Sequence, residues 1–311
     1  MPTYRFIQVD VFTDRPFGGN PLAVFPDAQG LSDAEMLQLA RELNLSETTF
    51  VLPPTRPGAD FKVRIFMPTQ EIPFAGHPLV GTHWALAHLG RVRLQEPTTC
   101  VTFELGVGLR SAVLHVAEGR VTRVVTDHQR PEFLAVADAR QVQRLAQGLG
   151  LPAAAITATG TPVQVVSTGF PQLFVPVRSL AEVSSLHPFR LDVPALAEVC
   201  GELGLPAVDV AVFTQETALP GRHVHLRFFA PTSGVPEDPA TGSASGGLGA
   251  YLVRYGLVPA GRPVAEIHTE QGLEMGRPSH VVVEVEGPAD DIRMVRVSGS
   301  AVKVLEGVAT W

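Results

Sequence analysis

His77 and Asp238 occupy matching places in two copies of one pattern within this 311-residue chain. The first copy reads Arg64-Ile-Phe-Met-Pro-Thr-Gln-Glu-Ile-Pro-Phe-Ala-Gly-His-Pro-Leu-Val-Gly-Thr82. The second reads Arg227-Phe-Phe-Ala-Pro-Thr-Ser-Gly-Val-Pro-Glu-Asp-Pro-Ala-Thr-Gly-Ser-Ala-Ser-Gly246. Both contain an Arg, an aromatic residue two positions on, Pro-Thr, a second Pro, then His-Pro or Asp-Pro, a Gly and a hydroxyl residue. A two-residue gap before the His or Asp is the one slip in register. An imidazole can titrate near neutral pH, and a carboxylate can orient a polar ligand group. A repeat spaced by about one domain length implies two related lobes rather than a solenoid.

The elements that must position these residues repeat as well. In each copy an apolar strand (61–67 and 223–230) runs into a proline-punctuated loop that ends at a helix start. Asp238 before Pro239 is a strong start signal, because Asp accepts from free backbone N–H groups and Pro at the first helical position lacks a donor that has no partner there. His77-Pro78 is the weaker twin. The residues after Asp238 are nearly all small, with glycines at 242, 246, 247 and 249. Each costs a helix roughly 1 kcal/mol against Ala, which implies close approach by other backbone. An open helix N-terminus carries unpaired N–H donors and partial positive charge, so it can hold an anion; a Gly/Ser-rich start can equally serve packing alone.

The chain resembles the PhzF family, named for the phenazine biosynthesis isomerase and built like diaminopimelate epimerase. The matching residues are Val9-Asp-Val-Phe-Thr, Pro16-Phe-Gly-Gly-Asn-Pro-Leu-Ala-Val24, Leu45-Ser-Glu-Thr-Thr-Phe-Val51, Gly76-His-Pro, Glu237-Asp-Pro-Ala-Thr-Gly-Ser243, Gln271-Gly and Met275-Gly-Arg-Pro-Ser279. They run in order over essentially the whole chain. The resemblance implies an α+β (α/β) fold of two pseudo-symmetric lobes, each a curled sheet around a central helix. The lobes span 1–130 and 131–311, with the final strand, about 298–311, returning to the first.

On its residues alone Glu47 is a glutamate at the entrance of an apolar strand. The resemblance makes it the catalytic acid/base, in a cleft between the lobes where burial would move a carboxyl toward neutrality. Asp238 then contacts or orients the substrate and His77 takes a proton-transfer or orienting role. Gly76, Gly242 and Ser243 offer donors to a substrate carboxylate, and Asn20 another polar contact. The implied reaction is an isomerising proton shift on a small, cyclic or acyclic carboxylic acid. Two other readings stay open: a member of the fold that binds small molecules or proteins without turnover, and an amino-acid epimerase or racemase. The two-thiol racemase mechanism is disfavoured, since Cys100 and Cys200 lie away from both helix starts.

Other patterns carry less. His223 and His225 share a strand face but lack a third metal ligand at suitable spacing. Gly106-Val-Gly108 lacks a third glycine and a following helix, and Gly242-Ser-Ala-Ser-Gly246 has Ala244 where a nucleophile elbow needs its serine. No metal, nucleotide or flavin is expected. A hydrophobic content of 45%, 18% charged residues and a net charge of −7 describe an ordinary globular protein without a basic footprint, so nucleic acid is not an expected partner. Two unpaired-looking cysteines and the lack of a signal core or long apolar run point to a reduced, cytoplasmic protein away from membranes. The resemblance adds a homodimer.

Along the chain, Tyr4–Phe12 alternates as a half-buried strand. Ser32 and Glu35 form a capping box with Leu31 and Met36 at staple positions, predicting a helix to about Leu43. A strand over 46–52, a helix over 78–89, a meander over 99–126 and a helix near 139–149 follow. Strands return over 264–267, 281–286 and 301–305.

Overall fold

The structure, a computed structural model, describes residues 2–261 and 263–311. Its elements are β1 (Thr3–Val11), β2 (Asn20–Phe25), α1 (Asp33–Leu43), β3 (Glu47–Leu52), β4 (Phe61–Phe66), β5 (Glu71–Ile72), α2 (Gly76–His88), β6 (Thr98–Leu105), β7 (Gly108–Ala117) and β8 (Arg120–His128). There follow β9 (Glu132–Val136), α3 (Ala139–Leu149), α4 (Ala153–Thr157), β10 (Gln164–Ser167), β11 (Pro171–Pro176), α5 (Leu180–Ser184), α6 (Val193–Glu202), β12 (Val210–Thr214) and β13 (Val224–Ala230). The last are β14 (Val235–Asp238), α7 (Gly242–Arg254), β15 (Val264–Gln271), β16 (Ser279–Glu286), β17 (Met294–Gly299) and β18 (Ala301–Thr310). The chain divides into two compact units, Met1–Asp127 with Ser298–Trp311, and His128–Val297. Among the described residues no helix is long and apolar enough to cross a membrane.

In the first unit the sheet runs β18-β1-β2-β3-β4-β6-β7-β8. Its β2–β3 and β4–β6 pairs are parallel, and the short β5 lies on β4 beside β6. Helix α1 makes the crossover between β2 and β3. The predicted capping box is present at its start, where Ser32 accepts from the Glu35 N–H and Glu35 accepts from the Ser32 N–H. Met36 and Leu31 of the staple join Phe25, Phe50 and Phe66 in one core cluster. Helix α2 touches β1, β2, β3, β7 and β18, strands from both ends of the order, so the sheet curls round it. Gly81 lets it in, because a Cβ there would lie 2.6 Å from side-chain carbons of both Leu22 and Val11.

The second unit repeats this connectivity. β11–β12 is parallel, β12–β13 antiparallel, β13 takes β14 and β15 along one edge, and β16 closes on β15. Helix α7 packs on β10, β11, β15 and β16 and is buried nearly throughout. Its glycines serve close approach: a Cβ on Gly247 would meet Phe174 at 2.6 Å, and one on Gly249 would meet Val283 at 2.6 Å. The crossover between β11 and β12 uses α5 and α6, whose apolar faces join α3 and α4 in one core cluster.

Two helix starts differ from the sequence expectation. Asp238 is the last residue of β14, paired with Phe228, and α7 begins four residues later at Gly242 behind Thr241. Asp238 therefore does not cap α7 and Pro239 is not its first helical residue, because strand pairing holds the Asp-Pro step extended. In the first unit α2 begins at Gly76, earlier than predicted, and takes His77 and Pro78 into its first turn. Proline is tolerated there because the first turn's N–H groups have no intrahelical partner.

Candidate active site

In the first unit the neighbourhood of Glu47 is built by three elements. Glu47 opens β3, opposite Leu22 of parallel β2. Asn20 opens β2 behind Gly19, whose backbone is left-handed (φ 57°) and so close to its surroundings that a Cβ would lie 2.1 Å from the Val11 carbonyl oxygen. Only glycine fits such a turn. His77 comes from the first turn of α2, which is tied to β3 by the Thr49 and Thr82 hydroxyls, 2.8 Å apart.

These elements bring four polar side chains into a row. The Ser46 hydroxyl reaches Asn20 Oδ1 at 3.5 Å, and Asn20 Nδ2 donates to His77 Nδ1 at 3.3 Å. His77 Nε2 lies 3.3 Å from Glu47 Oε2, near enough for a hydrogen bond but not aligned for one. Such contacts commonly tighten only when substrate is bound. Asn20 is 0% exposed and His77 5%, and the Glu47 side chain keeps 14% exposure. Burial pushes the His77 imidazole down to about 3, so His77 is neutral at physiological pH and the expected titration near pH 7 does not occur. With Nδ1 accepting from Asn20, the ring proton sits on Nε2, the nitrogen on the Glu47 side of the ring.

The corresponding part of the second unit is a turn held from beneath. Asp238 and Thr241 are joined by a hydrogen bond from the Thr241 hydroxyl to Asp238 Oδ2. Gln271, at the end of β15, accepts from the Thr241 N–H at 2.9 Å and donates to the Asp238 carbonyl at 2.7 Å and to Thr241 Oγ1 at 3.0 Å. Ser243, in the first turn of α7, accepts from Gln172 Nε2 at 3.1 Å. Gly242 is the first residue of α7 and Thr241 gives no side-chain cap to the helix, so the first-turn N–H groups remain available as donors.

On the other face of the same strands lies a buried ionic ladder. Arg227 donates from Nε and Nη2 to the two oxygens of Glu237 at 2.8 and 2.7 Å, and from Nη1 to the carbonyls of Val183 and Leu186. His225 lies 2.8 Å from Glu270 and 3.0 Å from Glu274. Burial alone would lower the imidazole, but its hydrogen bonds to both carboxylates and their charges outweigh it and raise His225 to about 9. Because strand residues alternate in facing, Arg227 and His225 grip Glu237 and Glu270 while the next residues, Asp238 and Gln271, build the turn.

Glu47, His77, Asn20 and Gly76 thus fall together in the first unit, and Asp238, Gly242 and Ser243 fall together in the second. Ser46, Thr241, Gln172 and Gln271 were missed as members of these sites. Ser46, Thr241 and Gln271 stand inside the resemblance motifs; Gln172 has no local signal. Cys100 is exposed on β6, and Cys200 is buried in α6 with its thiol pushed up to about 11 by desolvation. Among the described residues no three His, Cys, Asp or Glu are arranged to hold a metal ion.

Comparison with known proteins identifies the family of the chain. Residues 9–307 match the profile of the PhzC-PhzF family, described as phenazine biosynthesis-like protein. The chain is 38% identical over 307 residues to the trans-2,3-dihydro-3-hydroxyanthranilate isomerase of Pseudomonas aeruginosa, covering 98% of this chain and 99% of that one. A PhzF-family phenazine biosynthesis protein of Bacillus anthracis superposes with a TM-score of 0.88 at 29% identity, over the whole of both chains. A hydroxyproline epimerase of Agrobacterium vitis has a TM-score of 0.63 at 16% identity, covering 98% of this chain and 92% of that one, and shares the fold. The chain belongs to the PhzC-PhzF family of phenazine biosynthesis-like proteins and is an isomerase.

Proposed function

We propose that the reaction is a proton shift within a small cyclic carboxylic acid of the dihydro-hydroxyanthranilate type, with Glu47 as the group that removes the proton and returns it. The observation that carries this reading is the Ser46-Asn20-His77-Glu47 row. The carboxylate takes a proton from a carbon beside an unsaturated system, leaving the electron pair delocalised, and delivers the same proton to a second carbon on that face. Atoms and charge balance without a cofactor. A neutral His77 suits the task, since it stands beside the carboxylate without the full positive charge that would strongly weaken its basicity. His77 orients Glu47, Asn20 selects the imidazole tautomer, and Gly76 offers a backbone donor to the substrate. Asp238 serves as a polar substrate contact, and Gly242 and Ser243 as donors to its carboxylate. A homodimer in the cytoplasm completes the reading, supported by the family resemblance and checked by sedimentation and by fractionation.

The test is incubation with trans-2,3-dihydro-3-hydroxyanthranilate and a panel of related acids in heavy water, for wild type and Glu47→Gln, with product and deuterium followed by mass spectrometry. Isomerised product from wild type alone supports the proposal. Equal turnover by both proteins removes Glu47 from the role, and deuterium returned to the original carbon with loss of optical purity replaces the isomerisation by epimerisation.

A further inference from the structure

The C-terminal turns of α2, about two to three turns along the helix from His77, carry a second feature that the reaction at Glu47 does not use. Trp84 and His88 stack with centroids 4.8 Å apart and planes 11° from parallel. They form one wall of a half-open pocket of about 560 Å³, floored by apolar side chains that include Leu94 and Val121. That size and lining suit a small organic ligand, for which roughly 300–1,000 Å³ is typical.

The pocket is also cationic, in a chain whose net charge is −7. Arg120 and Lys303 both line it. Among the described residues Arg120 has no ion-pair partner, and the one acid at Lys303 is Glu306, 3.2 Å away on the exposed surface. His88 is held below its usual value, first by burial and then by the charge of Lys303. An aromatic wall attracts a flat ring by stacking, and an arginine presents a planar donor fork that matches a carboxylate. The negative end of the helix dipole opposes an anion only weakly at an exposed site, which two cations offset.

We propose that this pocket binds a planar aromatic carboxylate, its ring against Trp84 and His88 and its carboxylate on Arg120 and Lys303. The site is independent of the reaction proposed for Glu47.

The experiment is calorimetric titration of the full chain with 2-naphthoate, beside the uncharged 2-naphthamide. The protein is compared as wild type, as Arg120→Glu/Lys303→Glu and as Glu47→Gln. Both cations are exposed, so the double variant keeps its fold, checked by circular dichroism and by retained isomerase activity. The proposal requires one saturable site for 2-naphthoate that is unchanged in Glu47→Gln. Affinity must fall by about tenfold or more in the double variant and for the amide, as loss of charge-assisted bonds demands. In a Trp311→Phe background the remaining tryptophan, Trp84, must report the same titration. Absence of binding overturns the proposal, as does binding that the double variant leaves intact or that the amide matches. Loss of binding in Glu47→Gln assigns the ligand to the reaction site instead and also overturns it.

Discussion

Arg64 and Arg227 hold their glutamates with the same two nitrogens. Nε and Nη2 of each reach the two oxygens of Glu71 or Glu237, and each guanidinium lies 5.1 Å from the centroid of the aromatic ring two residues on. Two residues before each arginine stands another cation, Lys62 or His225, facing Glu104 or Glu270 on the next parallel strand. Glu104 accepts the backbone N–H groups of Thr55 and Arg56, and Glu270 those of Ala218 and Leu219. The repeat is therefore an electrostatic frame as much as a sequence pattern. The copies differ in depth and in what the frame supports. Arg64 keeps 18% of its side chain exposed and takes Asp33 of α1 as a further partner, whereas Arg227 keeps 2% and takes two backbone carbonyls. The first copy adds the Ser46-Asn20-His77 row beside Glu47. The second adds a hydrogen-bonded turn at Asp238 and an ionic ladder behind it. The two copies thus share a frame and differ in what it holds.

That division can be broken most directly by exchanging which copy loses its carboxylate. Glu47→Gln is expected to lower kcat by about 10²–10⁴-fold, the usual worth of a general acid/base. Asp238→Asn is expected to act more on KM, read from steady-state kinetics on the dihydro-hydroxyanthranilate. Equal kcat losses with unchanged KM in both would erase the distinction. The next largest contrast is in stability. Arg227→Met strands Glu237 as a buried charge and should cost about 3–5 kcal/mol. Arg64→Met, at a wetter site, should cost on the order of 1 kcal/mol, both measured by urea unfolding.

A pH series sharpens the comparison further. His225 is raised to about 9 from an ordinary 6.5, so its contribution is complete below about 6.5 and is lost as pH rises through about 9. Glu274 is depressed to about 2, since hydrogen bonds from His225 and Ser184 and the imidazolium charge outweigh its burial. Its contribution is present above about 4.5 and lost as pH falls toward 2. Unfolding free energy should therefore fall between pH 7 and 10 in wild type and stay flatter in His225→Gln. Lys62, the matching residue, sits at a wetter position facing Glu104, so Lys62→Gln should leave the slope in place. The smallest effect is expected from the supporting amides. Asn20→Ala and Gln271→Ala each remove about 1 kcal/mol of hydrogen bonding, roughly fivefold, seen in kcat for Asn20 and in KM for Gln271. The opposite assignment would contradict the division of labour.

Much of this arrangement is legible before any coordinate is known, and the unreadable parts share a cause. The Arg-aromatic-Pro-Thr pattern announces the repeat, and Ser32 with Glu35 announces α1, because both depend on residues close in sequence. The Asp238-Pro239 step misleads because the same pair that caps a helix can end a strand, and pairing with Phe228 decides between them. His77 carries no mark of its environment, and only burial shows that it stays neutral. His225 reads only as the partner of His223 on a strand face, since its two carboxylates lie 45 and 49 residues away. Gln271 reads as the end of a strand until its three bonds to the Asp238 turn are seen. Glu47 becomes conspicuous only through the resemblance, its partners being 30 residues distant in sequence at His77 and 27 at Asn20.

The strand β18 pairs along its length with β1, although residues 128–297 lie between the two parts of the first unit. During synthesis the chain emerges amino end first, at about 5–20 residues per second. The first unit's remaining sequence is then complete while its edge strand is still roughly ten to thirty seconds away. For that interval β1 presents an unpaired row of backbone donors and acceptors, the kind of edge that recruits foreign strands. Nascent chains of this protein therefore have a window of aggregation risk set by translation speed, which closes when the last residues reach β1.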